Sequence, residues 1–256
     1  MRGLFLQGGG AKGAFQAGVV FGLFEKGLDF QILSGTSIGA INSYFIYTNN
    51  IDKMREMWVN IDNIDFENDW KDDKVIDNSS LIKILEDLEG RNDKIEAYFV
   101  NYVKITGNNL KEKIVDITKF DKKEGLKFIK YSSLLPGKLD RNKTLDKIIE
   151  EFNSEKLFDE FKKDLEKGVY DGYNLDGGIV NNNFLSPFTE NKVDKLYIVT
   201  FSVDYQIPDY ILNKYSREDI IVIKPEVEFM RGDTIRFKKE FCEKIFYEGY
   251  KISKKI

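Results

Sequence analysis

Leu33-Ser34-Gly35-Thr36-Ser37-Ile38-Gly39-Ala40-Ile41-Asn42 is the stretch on which the reading of the fold turns. It carries Gly-x-Ser-x-Gly at the end of a short apolar run, the sequence form of a sharp strand-to-helix turn that holds a serine hydroxyl at its tip. Gly35 and Gly39 are expected for steric reasons, because a side chain two residues either side of the serine would strike the neighbouring strand or helix. Phe30, Ile32 and Leu33 predict the strand, and Ala40, Ile41, Tyr44, Phe45 and Ile46 predict a buried helix behind it. Taken alone the pattern is weakly specific, and a glycine-rich turn with an incidental serine fits it equally well.

Composition narrows the choice. The 256 residues suffice for one large α/β domain with a substantial core. A net charge of −4, from 39 Lys+Arg against 43 Asp+Glu, leaves no nucleic-acid footprint. The single cysteine, Cys242, excludes an intramolecular disulfide and fits a reducing compartment. The first apolar run, Leu4-Phe5-Leu6, breaks into glycines, so no signal peptide is expected, and no run approaches a membrane span. A cytoplasmic location is the expectation. Most informative is the absence of histidine. It excludes a Ser-His-Asp triad and His-based zinc sites. If Ser37 is a nucleophile, its proton must go to a carboxylate, a lysine or a water held by one of them.

Nearer the start, Gly3-Leu4-Phe5-Leu6-Gln7 predicts a first strand, and Gly8-Gly9-Gly10-Ala11-Lys12-Gly13 follows, then an apolar helix ending at Gly27. Strand, glycine loop and helix make an anion-binding arrangement, since unpaired backbone N–H groups at the helix start point into the loop. Two functions compete for it. Gly8, Gly10 and Gly13 satisfy the G-x-G-x-x-G of a dinucleotide site. The same loop suits an oxyanion hole, with Lys12 adding positive charge. A dinucleotide site wants an acid at the carboxyl end of the second strand. Here the acid, Asp29, stands at the strand's start, and the carboxyl end is Gly35-Thr36-Ser37. Adjacent parallel strands would set the loop and Ser37 face to face, which favours the oxyanion reading.

Residues 51–92 read as two amphipathic helices joined by an acidic linker. A helical layer packed on the sheet is preferred over a cap carrying Trp58, Phe66 and Trp70 at the site's mouth. Residues 97–106 alternate as a strand, Asn108-Asn109 marks a turn, and 114–117 is the partner strand. A helix over 126–131 is stopped before Pro136. Residues 141–167 are charge-rich, with Phe152, Leu157, Phe158, Phe161 and Leu165 expected inward. Residues 169–175 predict a β-hairpin about Asp171-Gly172, leading into Asp176-Gly177-Gly178. The glycines after Asp176 would let backbone pass close by, although on the residues alone a second plain turn is preferred. The apolar runs 196–201 and 220–223 fit strands buried on both faces, and 233–251 is a final helix. Lys251, Lys254 and Lys255 read as a solvated helix end rather than a lipid contact.

Taken together, the three segments resemble the patatin-like phospholipases. That family's pattern is G-G-G-x-R/K-G near the N-terminus, a G-x-S-x-G elbow, and D-G-G/A much further on. The chain shows Gly8 to Gly13, Gly35 to Gly39 and Asp176-Gly177-Gly178 in that order. The segments 14–19, 40–42 and 131–136 look like family segments too, and the likeness spans residues 3 to about 205. One departure is Asn181-Asn182-Asn183-Phe184, where the family often has Asn-x-Pro.

The resemblance implies an α/β fold, a three-layer α/β/α sandwich around a mainly parallel sheet, related to α/β-hydrolase and Rossmann-like topologies. It implies one domain over 1–256 and a Ser-Asp dyad, with Ser37 as nucleophile and Asp176 as its partner. Gly8, Gly9, Gly10, Lys12 and Gly13 would form the oxyanion hole, supported by Gly35, Gly39, Gly177 and Gly178. The expected activity is cleavage of lipid carboxylic esters through an acyl-serine intermediate, at a membrane surface or on free lipid, with no metal or organic cofactor required. The alternatives are a non-catalytic lipid-binding or regulatory protein on the same fold and the disfavoured dinucleotide enzyme. An ordinary aspartate is a poor base for a serine hydroxyl, so burial of Asp176 is expected to raise its pKa.

Overall fold

In the computed structural model, which describes residues 1–64, 74–137, 139–140 and 142–256, strand β1 (Arg2–Leu6) sends Leu4 and Leu6 to one face and Phe5 to the other. All three are fully buried. A strand covered on both faces needs such a continuous apolar run. The remaining strands are β2 (Ile32–Gly35), β3 (Val75–Ile76), β4 (Ala97–Thr106), β5 (Asn109–Asp116), β6 (Leu135–Pro136), β7 (Asn174–Asp176), β8 (Lys195–Val199) and β9 (Ile220–Ile223). The main sheet runs β5-β4-β2-β1-β8-β9, with β7 also paired to β4. Neighbours from β4 to β9 along that order are parallel, while β5 and β7 are antiparallel to β4.

The longer helices are α1 (Gly13–Glu25), α2 (Ile38–Tyr47), α3 (Ile51–Val59), α4 (Ser79–Glu86), α5 (Lys122–Ser132), α6 (Leu145–Glu151), α7 (Ser154–Glu166) and α8 (Lys239–Lys254). Several start where a short polar side chain satisfies an end N–H. Asp121 accepts from Glu124 N at 2.9 Å ahead of α5, and Asn153 accepts from Lys156 N at 3.1 Å ahead of α7. α1, α2, α3 and α8 enclose the larger core on one face of the sheet. On the other face Phe184, Leu185, Phe188, Ile211 and Tyr215 cover Phe5, Ile32, Leu196 and Ile198. The architecture is the expected three-layer α/β/α sandwich around a mostly parallel sheet.

β4 is long enough to serve two partners on one flank. Its residues Ala97 to Val100 pair with β2, ending at Gly35↔Val100. Its residues Tyr102 to Lys104 pair with β7, ending at Tyr102↔Asp176. β2 and β7 therefore run toward each other along β4, and their carboxyl ends stop on either side of Asn101. This head-on register brings two segments 139 positions apart to one place.

Some local expectations change. Residues 169–175 are not a hairpin. Gly168 (φ 73) and Gly172 (φ 82) wind the chain after α7, and the buried Tyr170 ring packs on Phe161 at 5.0 Å while its hydroxyl donates to the Lys74 carbonyl. β7 finds its partner in β4 because Leu175 can then enter the core with Val103 and Ile105. The β4–β5 turn falls at Gly107-Asn108, not at Asn108-Asn109, and β5 begins earlier than expected. The last helix is a 3₁₀ turn, Arg231–Ile235, followed by α8. Trp58, which only the less favoured cap reading put near the site's mouth, is fully buried, donating its indole N–H to Asn42 Oδ1 at 2.9 Å and stacking on Phe237. Phe66 and Trp70 lie outside the described residues.

Candidate active site

Ser37 caps α2 with φ 57° and ψ −125°, a conformation that costs an L-residue on the order of 1–3 kcal/mol. The surroundings impose it. Thr36 N donates to the Leu6 carbonyl at 3.2 Å and Ser37 N to Ser132 Oγ at 2.9 Å. A Cβ on Gly39 would lie 2.0 Å from the Leu6 oxygen, and one on Gly35 would lie 2.6 Å from the Gly39 oxygen. So tight a turn excludes side chains at both positions.

Asp176 closes the other side. It is 2 % exposed, and burial raises its pKa to about 7, opposed by hydrogen bonds from the Ser37 hydroxyl and the Gly178 N–H, the latter at 2.7 Å. Ser132 ties the two halves together, accepting Ser37 N on its hydroxyl and Gly177 N (3.3 Å) on its carbonyl. Asn101 does the same from β4. Its Oδ1 accepts from Thr36 Oγ1 at 2.8 Å, and its Nδ2 donates to the Asn181 carbonyl at 3.0 Å.

The glycine loop faces Ser37, since a Cβ on Gly8 would lie 2.9 Å from the serine Cβ. Its amides divide into two groups. Gly8 N–H is taken by Asn182 Oδ1 at 2.9 Å, and Gly13 N–H donates back to the carbonyls of the preceding 3₁₀ turn. Gly9 and Gly10 N–H donate to nothing among the described residues. Gly10 has φ 58°, and a Cβ there would sit 2.0 Å from the Thr234 oxygen. Of the five loop residues expected at an oxyanion hole, Gly9 and Gly10 are thus the two whose N–H groups have no partner among the described residues, while those of Gly8 and Gly13 are taken. The Lys12 ammonium lies over the Phe201 and Phe229 rings, at 5.2 and 5.9 Å from their centroids. Burial pushes its pKa down, partly offset by the charges of Asp233 and Glu228.

A cleft of about 210 Å³ opens over Ser37, Asp176, the glycine loop and Lys12, with Phe152, Leu157 and Phe158 as its apolar wall. Those three were expected inward, and they lead to the cleft. A smaller pocket of about 50 Å³ adjoins Ser37 and Gly10 and is lined by Ile38, Ile41, Leu81, Ile235 and Phe237. Asn101 carries no motif of its own, whereas Ser132 lies in the family-like segment 131–136 and Asn182 in the asparagine run 181–183, neither of which named a role for it. Where the family often has proline, Phe184 is buried in the second core, and its carbonyl accepts Ser34 Oγ at 2.7 Å. Among the described residues no three His, Cys, Asp or Glu side chains cluster as metal ligands, and no helix is long and apolar enough to cross a membrane.

Such a site is equipped for acyl transfer: a strained serine, a carboxyl partner with a raised pKa, and two unpaired amides beside them. Residues 4–196 match the family described as patatin-like phospholipase. Among curated proteins none matches the chain in sequence. Among solved structures, VipD from Legionella pneumophila aligns over 99% of this chain and 67% of that one, at 10% identity and a TM-score of 0.44.

Proposed function

The chain belongs to the patatin-like phospholipase family of lipid acyl hydrolases, and we propose that it cleaves carboxylic ester bonds of lipids with Ser37 as nucleophile and Asp176 as its proton partner. The observation that carries the assignment is the meeting of β2 and β7 on β4, which sets the strained Ser37 against a buried carboxyl whose pKa is raised to about 7.

The ionised Asp176 takes the proton from Ser37 Oγ as that oxygen attacks the ester carbonyl carbon. A base whose pKa lies near the working pH suits this transfer. The negative charge that develops on the carbonyl oxygen is received by the Gly9 and Gly10 N–H groups, with Lys12 nearby, and a single such donor is typically worth about 3–4 kcal/mol. Collapse of the intermediate breaks the ester C–O bond, and Asp176 returns the proton to the departing alcohol. Water then attacks acyl-Ser37, giving its proton to Asp176. The second collapse breaks the bond to Ser37 Oγ, which recovers the proton as the carboxylic acid leaves. No step needs imidazole or a metal. In this reading residues 1–256 act as one catalytic domain, with the helices at Ile51–Val59 and Ser79–Glu86 a layer packed on it, supported by the burial of Trp58. A single cooperative unfolding transition is expected, and separate transitions would overturn that part.

The test is intact mass after incubation with a fluorophosphonate. One adduct is expected on Ser37, absent in Ser37→Ala and forming far more slowly in Asp176→Asn. A folded wild-type protein that takes no adduct when lipid is supplied would leave the family fold acting as a lipid-binding module. An adduct that forms at the same rate in Asp176→Asn would remove the carboxyl from its role and turn attention to Lys12.

A further inference from the structure

Between the last β2–β4 pair, Gly35↔Val100, and the last β7–β4 pair, Tyr102↔Asp176, a single β4 residue remains. It is Asn101, and it is fully buried. Both donor hydrogens of its carboxamide and its oxygen are engaged. Oδ1 accepts from Thr36 Oγ1 at 2.8 Å, one residue before the nucleophile. Nδ2 donates to the Asn181 carbonyl at 3.0 Å, in the loop that follows Asp176, and to Glu112 Oε1 at 2.8 Å on β5. Two acceptors on one side and a hydroxyl on the other admit only this orientation of the amide. Glu112 Oε1 also accepts from Asn181 Nδ2 at 3.1 Å, so one carboxylate holds both amides. Gly177 packs against the group, since a Cβ there would lie 2.4 Å from Asn101 Oδ1.

We propose that Asn101 is a positioning residue for the Ser37–Asp176 pair, oriented by Glu112. The inference rests on the reading of those two residues as the reacting pair. The elbow and the Asp176 loop are far apart in the chain, and each hangs on its own short strand. Pairing to β4 fixes their height along the sheet, and the Asn101 amide fixes the gap between them. Charge-assisted hydrogen bonds to Glu112 are stronger than neutral ones and keep the amide from rotating. Proton transfer between a serine and a carboxyl depends steeply on their separation. The amide thus acts on turnover through the geometry of two other side chains while touching no reacting atom.

The test uses the full chain and normalises the rate to functional serine. The titratable Ser37 is counted with a fluorophosphonate, and kcat and KM are then measured on a short-chain ester. Asn101→Ala and Glu112→Ala should each lower kcat per titrated serine by about tenfold or more, with KM changed far less. Glu112→Gln should recover most of the rate lost in Glu112→Ala without reaching wild type, because its Oε1 can still accept both amide donors but without the charge. A merely structural role would instead lower the number of titratable sites and the Tm while leaving kcat per site unchanged, and that result would overturn the proposal. Should Asn101→Ala not fold, Glu112→Ala decides alone, since Glu112 is only half-buried on an edge strand. A wild type without an adduct would sink the hydrolase reading itself. A labelled wild type with per-site rates equal in the variants would sink only the positioning role.

Discussion

Asn182 hydrogen-bonds both backbone polar groups of Gly8: Gly8 N–H donates to its Oδ1 at 2.9 Å, and its Nδ2 donates to the Gly8 carbonyl at 3.1 Å. The clasp joins the glycine loop to the segment after Asp176 across 174 positions of chain. It also occupies the Gly8 N–H, which leaves that group out of the proposed oxyanion donors, and fixes the peptide that precedes Gly9. Asn182→Ala should cost two hydrogen bonds of about 1 kcal/mol each, a Tm drop of roughly 4–8 °C. Turnover per titrated serine should fall by roughly 10–100-fold, because the donors at Gly9 and Gly10 lose their alignment. Unchanged turnover in a folded variant would show that the loop holds its shape without the clasp.

Ser37 sits where φ is 57°, and only glycine occupies that region cheaply. Relief of strain worth about 1–3 kcal/mol outweighs the extra freedom glycine adds to the unfolded chain. Ser37→Gly should therefore melt above Ser37→Ala, although neither takes the fluorophosphonate. Thermal unfolding of the two variants side by side checks this, and equal midpoints would mean that the elbow stores no strain.

The raised pKa of Asp176 has two consequences. In the proposed mechanism the reacting form is the carboxylate, so kcat/KM should rise about tenfold per pH unit below a midpoint near 7 and level off above it. Stability should move the other way. Between the ordinary carboxylate value near 3.9 and about 7, the folded protein holds a proton that the unfolded chain has released, so unfolding becomes easier as pH rises. A difference of about three units corresponds to a destabilisation on the order of 4 kcal/mol above pH 7. Asp176→Asn removes it. The variant's Tm should match wild type near pH 4 and exceed it increasingly up to pH 8, and a constant Tm difference across that range would refute the raised pKa.

The small apolar pocket beside Ser37 suits part of an acyl chain, and Leu81 forms part of its wall. Each methylene that enters should raise kcat/KM by roughly 3–4-fold, from about 0.8 kcal/mol per buried CH₂, until the pocket is full. Leu81→Ala should move that limit to longer chains, at a stability cost of about 2–5 kcal/mol. A series of p-nitrophenyl esters of increasing chain length reads the limit directly. An unshifted limit would send the acyl chain to the larger cleft beside Phe152, Leu157 and Phe158.

Much of this was legible from residues alone. Gly35 and Gly39 announced the elbow because so tight a strand-to-helix turn leaves no room for side chains, against the turn itself at Gly35 and against β1 at Gly39. The runs in β1, β8 and β9 announced buried parallel strands because both faces demand apolar side chains. The missing histidine left a carboxylate or a lysine as the proton acceptor before any fold was known. The hairpin expected at 169–175 shows where local reading fails. Asp171-Gly172 carries the right turn residues, yet Leu175 gains more by entering the core beside Val103 than Val169 and Tyr170 would gain by pairing across the turn.

Which residues were candidates was thus written in the sequence, Ser37 by its elbow motif and Asp176 only through the family resemblance. Where they meet was not. The approach of Asp176 to Ser37 depends on a β4 strand longer than its neighbour β2, whose spare length gives β7 a place to pair head-on. The tertiary structure alone also decided that Gly8 gives its amide to Asn182, which, with the Gly13 amide held by the local 3₁₀ turn, leaves Gly9 and Gly10. Hydrogen-bond partners such as Asn182, Asn101 and Ser132 carry no local sign of what they hold, because each is chosen by a contact between segments that only folding brings together.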